Sequence, residues 1–198
     1  MRCEAQHQNV VLYETIRGNI IPIYIARHGQ STWNAQKRWA GHDDPPLTDL
    51  GREQAKNACV RFSLHQFSSV ISSPLLRARE TAAIIAHTLQ IDLMDPIPEF
   101  NEIHAGNLSG LTSDEIRAKY PELVQKWESG LPIDMPDGET WDNFVQRVLS
   151  GMSYLKPYLH SNLLLIAHEG VLRAIAYQLG EKICSYQNLE GRWFNPSV

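Results

Sequence analysis

Two histidines, His28 and His168, each follow a short apolar run, in "YIARHGQSTWN" (residues 24 to 34) and in "NLLLIAHEG" (residues 162 to 170). If both runs are strands of one α/β sheet, their C-terminal ends open on a common crevice, and the two imidazoles face the same ligand although they are far apart along the chain. Arg27 directly precedes the first histidine. Arg77 falls one turn into a helix expected to begin at Ser73, near backbone N–H groups that favour an anion. Two guanidinium forks that keep their proton near neutral pH, joined by two imidazoles, suit a phosphate dianion, and Asn34 adds a neutral donor. A unit-charge pair about 4 Å apart is worth roughly 4 kcal/mol at an effective dielectric of about 20, against about 1 kcal/mol in water. Such a pocket must therefore be dry to hold phosphate tightly.

The elements that have to position these residues are read from periodicity and turn chemistry. Residues 10 to 17 and 20 to 26 are β-rich, and Gly18-Asn19 between them suits a two-residue hairpin turn, although Pro22 cannot donate to a ladder. "LTDLGREQAKNACVRF" predicts a helix capped by Thr48, and "SSVISS" predicts a short strand after it. Ser73 as N-cap with Pro74 behind it opens the next helix, with Ala78, Ala82, Ile85 and Leu89 on its apolar face. A short strand and a Pro-, Asn- and Gly-rich loop fill the stretch from Ile91 to Gly110. Thr112 and Glu115 form a capping box for a short helix running towards Trp127, and "SGLPIDMPDGE" is a second irregular segment. Trp141, Phe144, Val148, Met152 and Leu155 mark a longer amphipathic helix. The last helix, "EGVLRAIAYQLG", closes at Gly180. Strands alternate with helices, which predicts an α/β domain around a largely parallel sheet.

Composition narrows the function. With 198 residues the chain fits one domain able to bury a core without a metal or disulfide staple. Its net charge of −4 offers no footprint for nucleic acid, no Lys or Arg block suggests a membrane surface, and no stretch has the length of a membrane span. Cys3, Cys59 and Cys184 are an odd number without short ligand spacing, which argues against a disulfide framework or zinc knuckle and fits a reducing compartment. The beginning lacks the charged start and long apolar middle of a signal peptide, so a cytoplasmic location is expected. His42, His87, His104 and His160 fit no ligand spacing and read as ordinary surface or core residues. No metal and no cofactor are called for, and the oligomeric state stays open between monomer and homodimer.

Five blocks, "RHGQSTWN", "GHDDPPLTDLGREQA", "SSPLLRARETA", "FNEIHAGNLSG" and "IAHEGVLRA", stand in the order found in the histidine phosphatase superfamily, and residues 20 to 180 resemble that family. The resemblance implies a three-layer α/β/α domain of phosphoglycerate-mutase-like fold over residues 20–198. Residues 1–19 are then an N-terminal extension and a candidate edge strand. It further implies that His28 is the nucleophile taking the phosphoryl group, that Arg27, Asn34, Arg77 and His168 form the phosphate pocket, and that Glu102 is the proton donor, which makes His28, Glu102 and His168 the expected catalytic set. A neutral imidazole is a good nucleophile near pH 7, and a phosphohistidine splits one hard displacement into two easier ones.

Three positions depart from the family pattern. Gln30 stands where Glu is commonest, and Glu169 stands where Gly is usual. A carboxylate at position 169 has three options: to repel the substrate, to pair with a pocket arginine, or to point outward and cap the following helix. The third departure is the extension, whose purpose the sequence does not disclose. Cofactor-dependent phosphoglycerate mutases follow the acid with cationic and hydroxyl groups where this chain has Ile103 and Ala105, which favours hydrolysis over transfer and suggests a partly apolar leaving group. Gln30, Ile103, His104 and Glu169 are the expected substrate-lining residues. The expected activity is a metal-independent phosphomonoesterase, using a phosphohistidine, on a small phosphorylated metabolite. The alternatives are a phosphoglycerate-mutase-type phosphotransferase and a phosphate-binding module with little turnover.

Overall fold

The runs Ile23–Arg27 and Leu163–Ala167 carry hardly a polar side chain, and a strand covered on both faces needs that composition. In the computed structural model they are adjacent parallel strands near the middle of a five-stranded sheet, in register from Tyr24 against Leu164 to Arg27 against Ala167. The structure describes residues 23–158, 161–181 and 183–194.

In chain order the elements are β1 (Ile23–Arg27), α1 (Thr32–Ala35), α2 (Asp49–Phe62), β2 (Ser69–Ser72), α3 (Leu76–Leu89), β3 (Asp92–Leu93), α4 (Ser113–Lys119), α5 (Pro121–Glu128), α6 (Trp141–Tyr154), β4 (Leu163–Ala167), α7 (Glu169–Gln178) and β5 (Gly191–Phe194). The sheet order is β3-β2-β4-β1-β5, parallel except for β5, which runs antiparallel along β1 from Ile23 against Phe194 to Ala26 against Gly191. The alternation of side chains along a strand separates the two faces. Tyr24, Ala26, Val70, Leu164 and Ile166 point to one side, where Phe62 of α2 and Ala82 and Ile85 of α3 cover them. Ile23, Ile25, Ile71, Leu163 and Leu165 point to the other, under Phe144 and Val148 of α6 and Val171 and Ile175 of α7. Three layers result, as the sequence predicts. Truncating a wholly buried side chain such as Leu165 to Ala costs about 2–5 kcal/mol.

Several helix ends match their sequence signals. The Thr48 hydroxyl accepts from Gly51 N–H at 2.9 Å, and Thr112 with Glu115 forms the expected capping box. Pro121 splits the helix after Lys119 into α4 and α5, because the residue before a proline is driven out of the helical region, and Tyr120 sits at φ −136°, ψ 59°. Gly180, at φ +65°, follows α7 as its stop.

Ser73 is not the N-cap of α3. That helix begins at Leu76, and the Asp44 carboxylate accepts from Leu76 N–H at 2.5 Å while the Ser73 hydroxyl turns towards the crevice. The hairpin expected for residues 10 to 26 lies, in its first strand and turn, outside the described residues. Both edges of β1 are occupied by β4 and β5. Strand β5 has no counterpart in the sequence reading. Cys59 is a buried free thiol. No helix among the described residues is long and apolar enough to cross a membrane.

Candidate active site

The chain leaves β1 and β4 at their adjacent C-terminal ends, and His28 and His168 are the first residues beyond them. His28 N–H donates to the Ala167 carbonyl at 3.0 Å, so the two strand ends stay in register up to the histidines. Their ring centroids are 5.2 Å apart at an interplanar angle of 63°, with side chains 3% and 0% exposed.

Hydrogen bonds fix the tautomer of His28. Its Nδ1 lies 2.6 Å from the Gly29 carbonyl, which only accepts, so Nδ1 carries the proton and Nε2 keeps its lone pair. Arg77 Nε donates to that Nε2 at 3.2 Å. Burial, followed by the charges of Arg77 and Arg27, holds the His28 pKa well below its usual 6.5. The ring is thus neutral and its Nε2 lone pair lies among positive groups. His168 is likewise pushed well below 6.5, by burial first and by Arg77 second. Its Nε2 is 2.8 Å from Ser73 Oγ, and its Nδ1 is buried without a partner.

Arg77 is 2% exposed, and its remaining nitrogens donate to the Asp43 carbonyl at 2.8 Å and the Gly41 carbonyl at 2.9 Å. Burial lowers its pKa to about 10, offset in part by Glu102 and Asp44. Arg27 Nη1 donates to Glu169 Oε2 at 2.8 Å and to the Tyr186 carbonyl at 2.5 Å, while its Nε is buried and unpartnered. Of the three roles open to Glu169, the ion pair with a pocket arginine is the one realised.

Glu102 comes from the irregular segment after β3. Its carboxylate accepts from Ile103 N–H at 3.0 Å and from Gly170 N–H, in the first turn of α7, at 3.3 Å. Burial raises its pKa above the usual 4.5 despite those donors and Arg77. A Cβ at position 170 would lie 2.1 Å from Glu102 Oε1, so only glycine lets the helix approach the acid this closely. His28, His168, Arg77, Arg27 and Glu102 are therefore gathered around one crevice.

The other expected site residues separate. Asn34 completes a capping box, its Oδ1 accepting from Ser31 N–H at 3.1 Å, so its Nδ2 is the donor it offers to a ligand. Gln30 Oε1 accepts from the Thr48 hydroxyl at 2.9 Å and serves the start of α2. His104 is exposed and packs edge-on against His42, with centroids 5.0 Å apart. Ile103 is 4% exposed and Ala105 2%, and both pack within the larger core cluster. A branched aliphatic beside a buried acid gains more from the core than from water.

Sequence reasoning missed the residues that hold the acid-bearing loop. Arg147, on α6, donates to the carbonyls of Glu99 at 2.8 Å, Asn101 at 3.0 Å and Glu102 at 3.1 Å, and it forms a two-pronged pair with Glu139 at 2.9 and 2.7 Å. His42 Nε2 also reaches the Glu102 carbonyl, at 2.8 Å. Asn188, ahead of β5, donates to the His28 carbonyl at 2.9 Å. Partners that are backbone carbonyls leave no residue type to read. The Glu139 side chain, eight positions before Arg147, was the available signal.

The model of the histidine phosphatase superfamily (branch 1) matches residues 23–191. A metal-independent phosphoserine phosphatase of Arabidopsis thaliana is 31% identical over 187 residues, which cover 92% of this chain and 76% of that protein. A 2,3-bisphosphoglycerate-dependent phosphoglycerate mutase of Methylobacterium sp. (strain 4-46) is 36% identical over 165 residues, 79% of each chain. Among solved structures, a mycobacterial glucosyl-3-phosphoglycerate phosphatase has a TM-score of 0.78 at 23% identity, covering 87% of this chain and 90% of its own, a likeness of fold.

Proposed function

Since the chain belongs to the histidine phosphatase superfamily, branch 1, we propose that it is a metal-independent phosphomonoesterase that works through a phosphohistidine on a small phosphorylated metabolite. The observation that carries this reading is the His28 ring: proton on Nδ1, lone pair on Nε2, Arg77 and His168 beside it. The Nε2 lone pair attacks phosphorus as the ester P–O bond breaks, and Glu102 gives its proton to the departing oxygen. Water then attacks the phosphohistidine, the P–N bond breaks, and the Glu102 carboxylate takes the water's proton, which restores the starting state. Arg77 and Arg27 stabilise the equatorial oxygens. His168 Nδ1, buried and unpartnered, offers a further contact, since an arriving dianion favours a proton there.

The mutase reading is supported by the 36% identical mutase relative. Against it stands the residue type at positions 103 and 105, Ile and Ala, which puts no cation there for a second, carboxylate-bearing part of a substrate. A panel of phosphorylated metabolites, phosphoserine and 3-phosphoglycerate among them, assayed with chelator present, separates the readings. Release of inorganic phosphate supports hydrolysis; isomerisation of phosphoglycerate without release supports transfer. A denaturing alkaline quench after brief exposure to labelled substrate should leave an alkali-stable, acid-labile label on His28, and an acid-stable label on serine would refute the mechanism. Phosphate binding without turnover, equal in wild type and His28→Ala, identifies a binding module instead.

A further inference from the structure

The chemistry above has no use for Glu169, yet this residue touches the phosphate pocket. Its carboxylate bonds Arg27 at 2.8 Å through Oε2, and its Oε1 lies 3.6 Å from Nη1 of Arg173, one helical turn further on. Arg173 is 4% exposed, an unusual burial for an arginine with no part in the reaction. Its guanidinium stacks over Trp127, with the central carbon 3.6 Å from the ring centroid, and donates to the Trp127 carbonyl. Both Arg27 Nε and Arg173 Nε are buried without partners. One carboxylate thus stands between two guanidiniums, each with a donor still to satisfy.

On the reading that Arg27 belongs to the phosphate pocket, we propose that Glu169 is an internal counter-ion: it competes with the phosphoryl dianion for Arg27 and is taken over by Arg173 when the dianion arrives. A phosphoryl group entering the pocket must displace a carboxylate before it gains the full strength of Arg27. Substrate and product phosphate are therefore bound less tightly than two free arginines would bind them, and product leaves faster. Uniformly tighter binding lowers KM without raising kcat, so this loss of ground-state affinity need not slow turnover. The burial of Arg173 follows from the same exchange, because a half-buried Glu169 that lost Arg27 with no second cation nearby would be left unpaired.

Titration calorimetry with inorganic phosphate tests the exchange on wild type, E169Q, E169D and R173M, with melting curves to confirm folding. E169Q should bind phosphate about tenfold more tightly and show a lower KM without a higher kcat. E169D, which restores the charge, should give back most of that gain. R173M should bind phosphate several-fold more weakly, an effect that vanishes in the E169Q background; should R173M fail to fold, the E169Q and E169D pair decides alone. Unchanged or weaker phosphate binding by folded E169Q overturns the counter-ion role while a wild type that binds and hydrolyses leaves the phosphatase reading standing. A wild type that neither binds phosphate nor hydrolyses any ester defeats that reading, and this inference with it.

Discussion

The nucleophile side and the acid side of the crevice are built by different means. His28 and His168 sit on the ends of two fully paired parallel strands, and Arg77 is anchored in the first turn of α3 by backbone carbonyls. Their positions are consequences of the sheet itself. Glu102, by contrast, lies on a segment with no regular structure, and what places it is three side chains, Arg147, Glu139 and His42, on its carbonyl side and the backbone amide of Gly170 on its carboxylate. A sheet tolerates the loss of any one side chain better than such a clamp does, so the two sides should fail differently.

The largest effect should fall on the sheet side, where His28→Ala removes the attacking atom and lowers kcat/KM about 10⁴-fold or more on every ester. Glu102→Gln should cost about 10²–10⁴-fold on alkyl esters and much less on aryl phosphates, whose leaving oxygen needs no proton. Equal losses on both substrate types would remove Glu102 from the role of acid. The pH profile sharpens the same contrast. Because burial and two arginines depress the His28 pKa, its protonation should cut activity only well below pH 6.5, while the raised Glu102 pKa should move the alkaline limb above the ordinary carboxylate range. In Glu102→Gln the alkaline limb should disappear and the acid limb remain. Arg147→Met removes charged hydrogen bonds to three loop carbonyls, each worth about 1.5–3 kcal/mol, and should lower both kcat and the melting temperature. An Arg147→Met protein with wild-type kcat would show that the loop holds its shape unaided. The smallest effect is expected far from either side: Thr112→Ala, which removes the α4 cap, should cost about 1 kcal/mol of stability and leave kcat unchanged.

What the sequence disclosed follows the same division. Apolar runs ending in His28 and His168, together with the Thr48 and Thr112 caps, are local signals, and local signals are enough to bring strand ends together in a parallel sheet. Arg147 was missed because it looks like any polar position on an amphipathic helix and three of its targets are carbonyls. Ser73 misled for a related reason: serine before proline is a good cap signal, but here the Asp44 carboxylate, distant in sequence, takes the Leu76 N–H, while the serine hydroxyl accepts from Leu75 N–H ahead of the helix and meets His168. Ile103 was read from its place beside the acid, and in the structure it packs within the larger core cluster. Strand β5, with Arg192 and Trp193 inside a four-residue run, carries no clear alternation.

The neighbours of β1 have a consequence for biosynthesis. The strand that delivers the nucleophile is made before both of its flanking strands and before the Asn188 amide that bonds the His28 carbonyl. A ribosome-bound chain therefore cannot complete the pocket until those later segments emerge, and the pairing that closes it joins strands far apart in sequence, which favours slow folding. Phosphate or vanadate added to a translation arrested before β4 should protect nothing from protease.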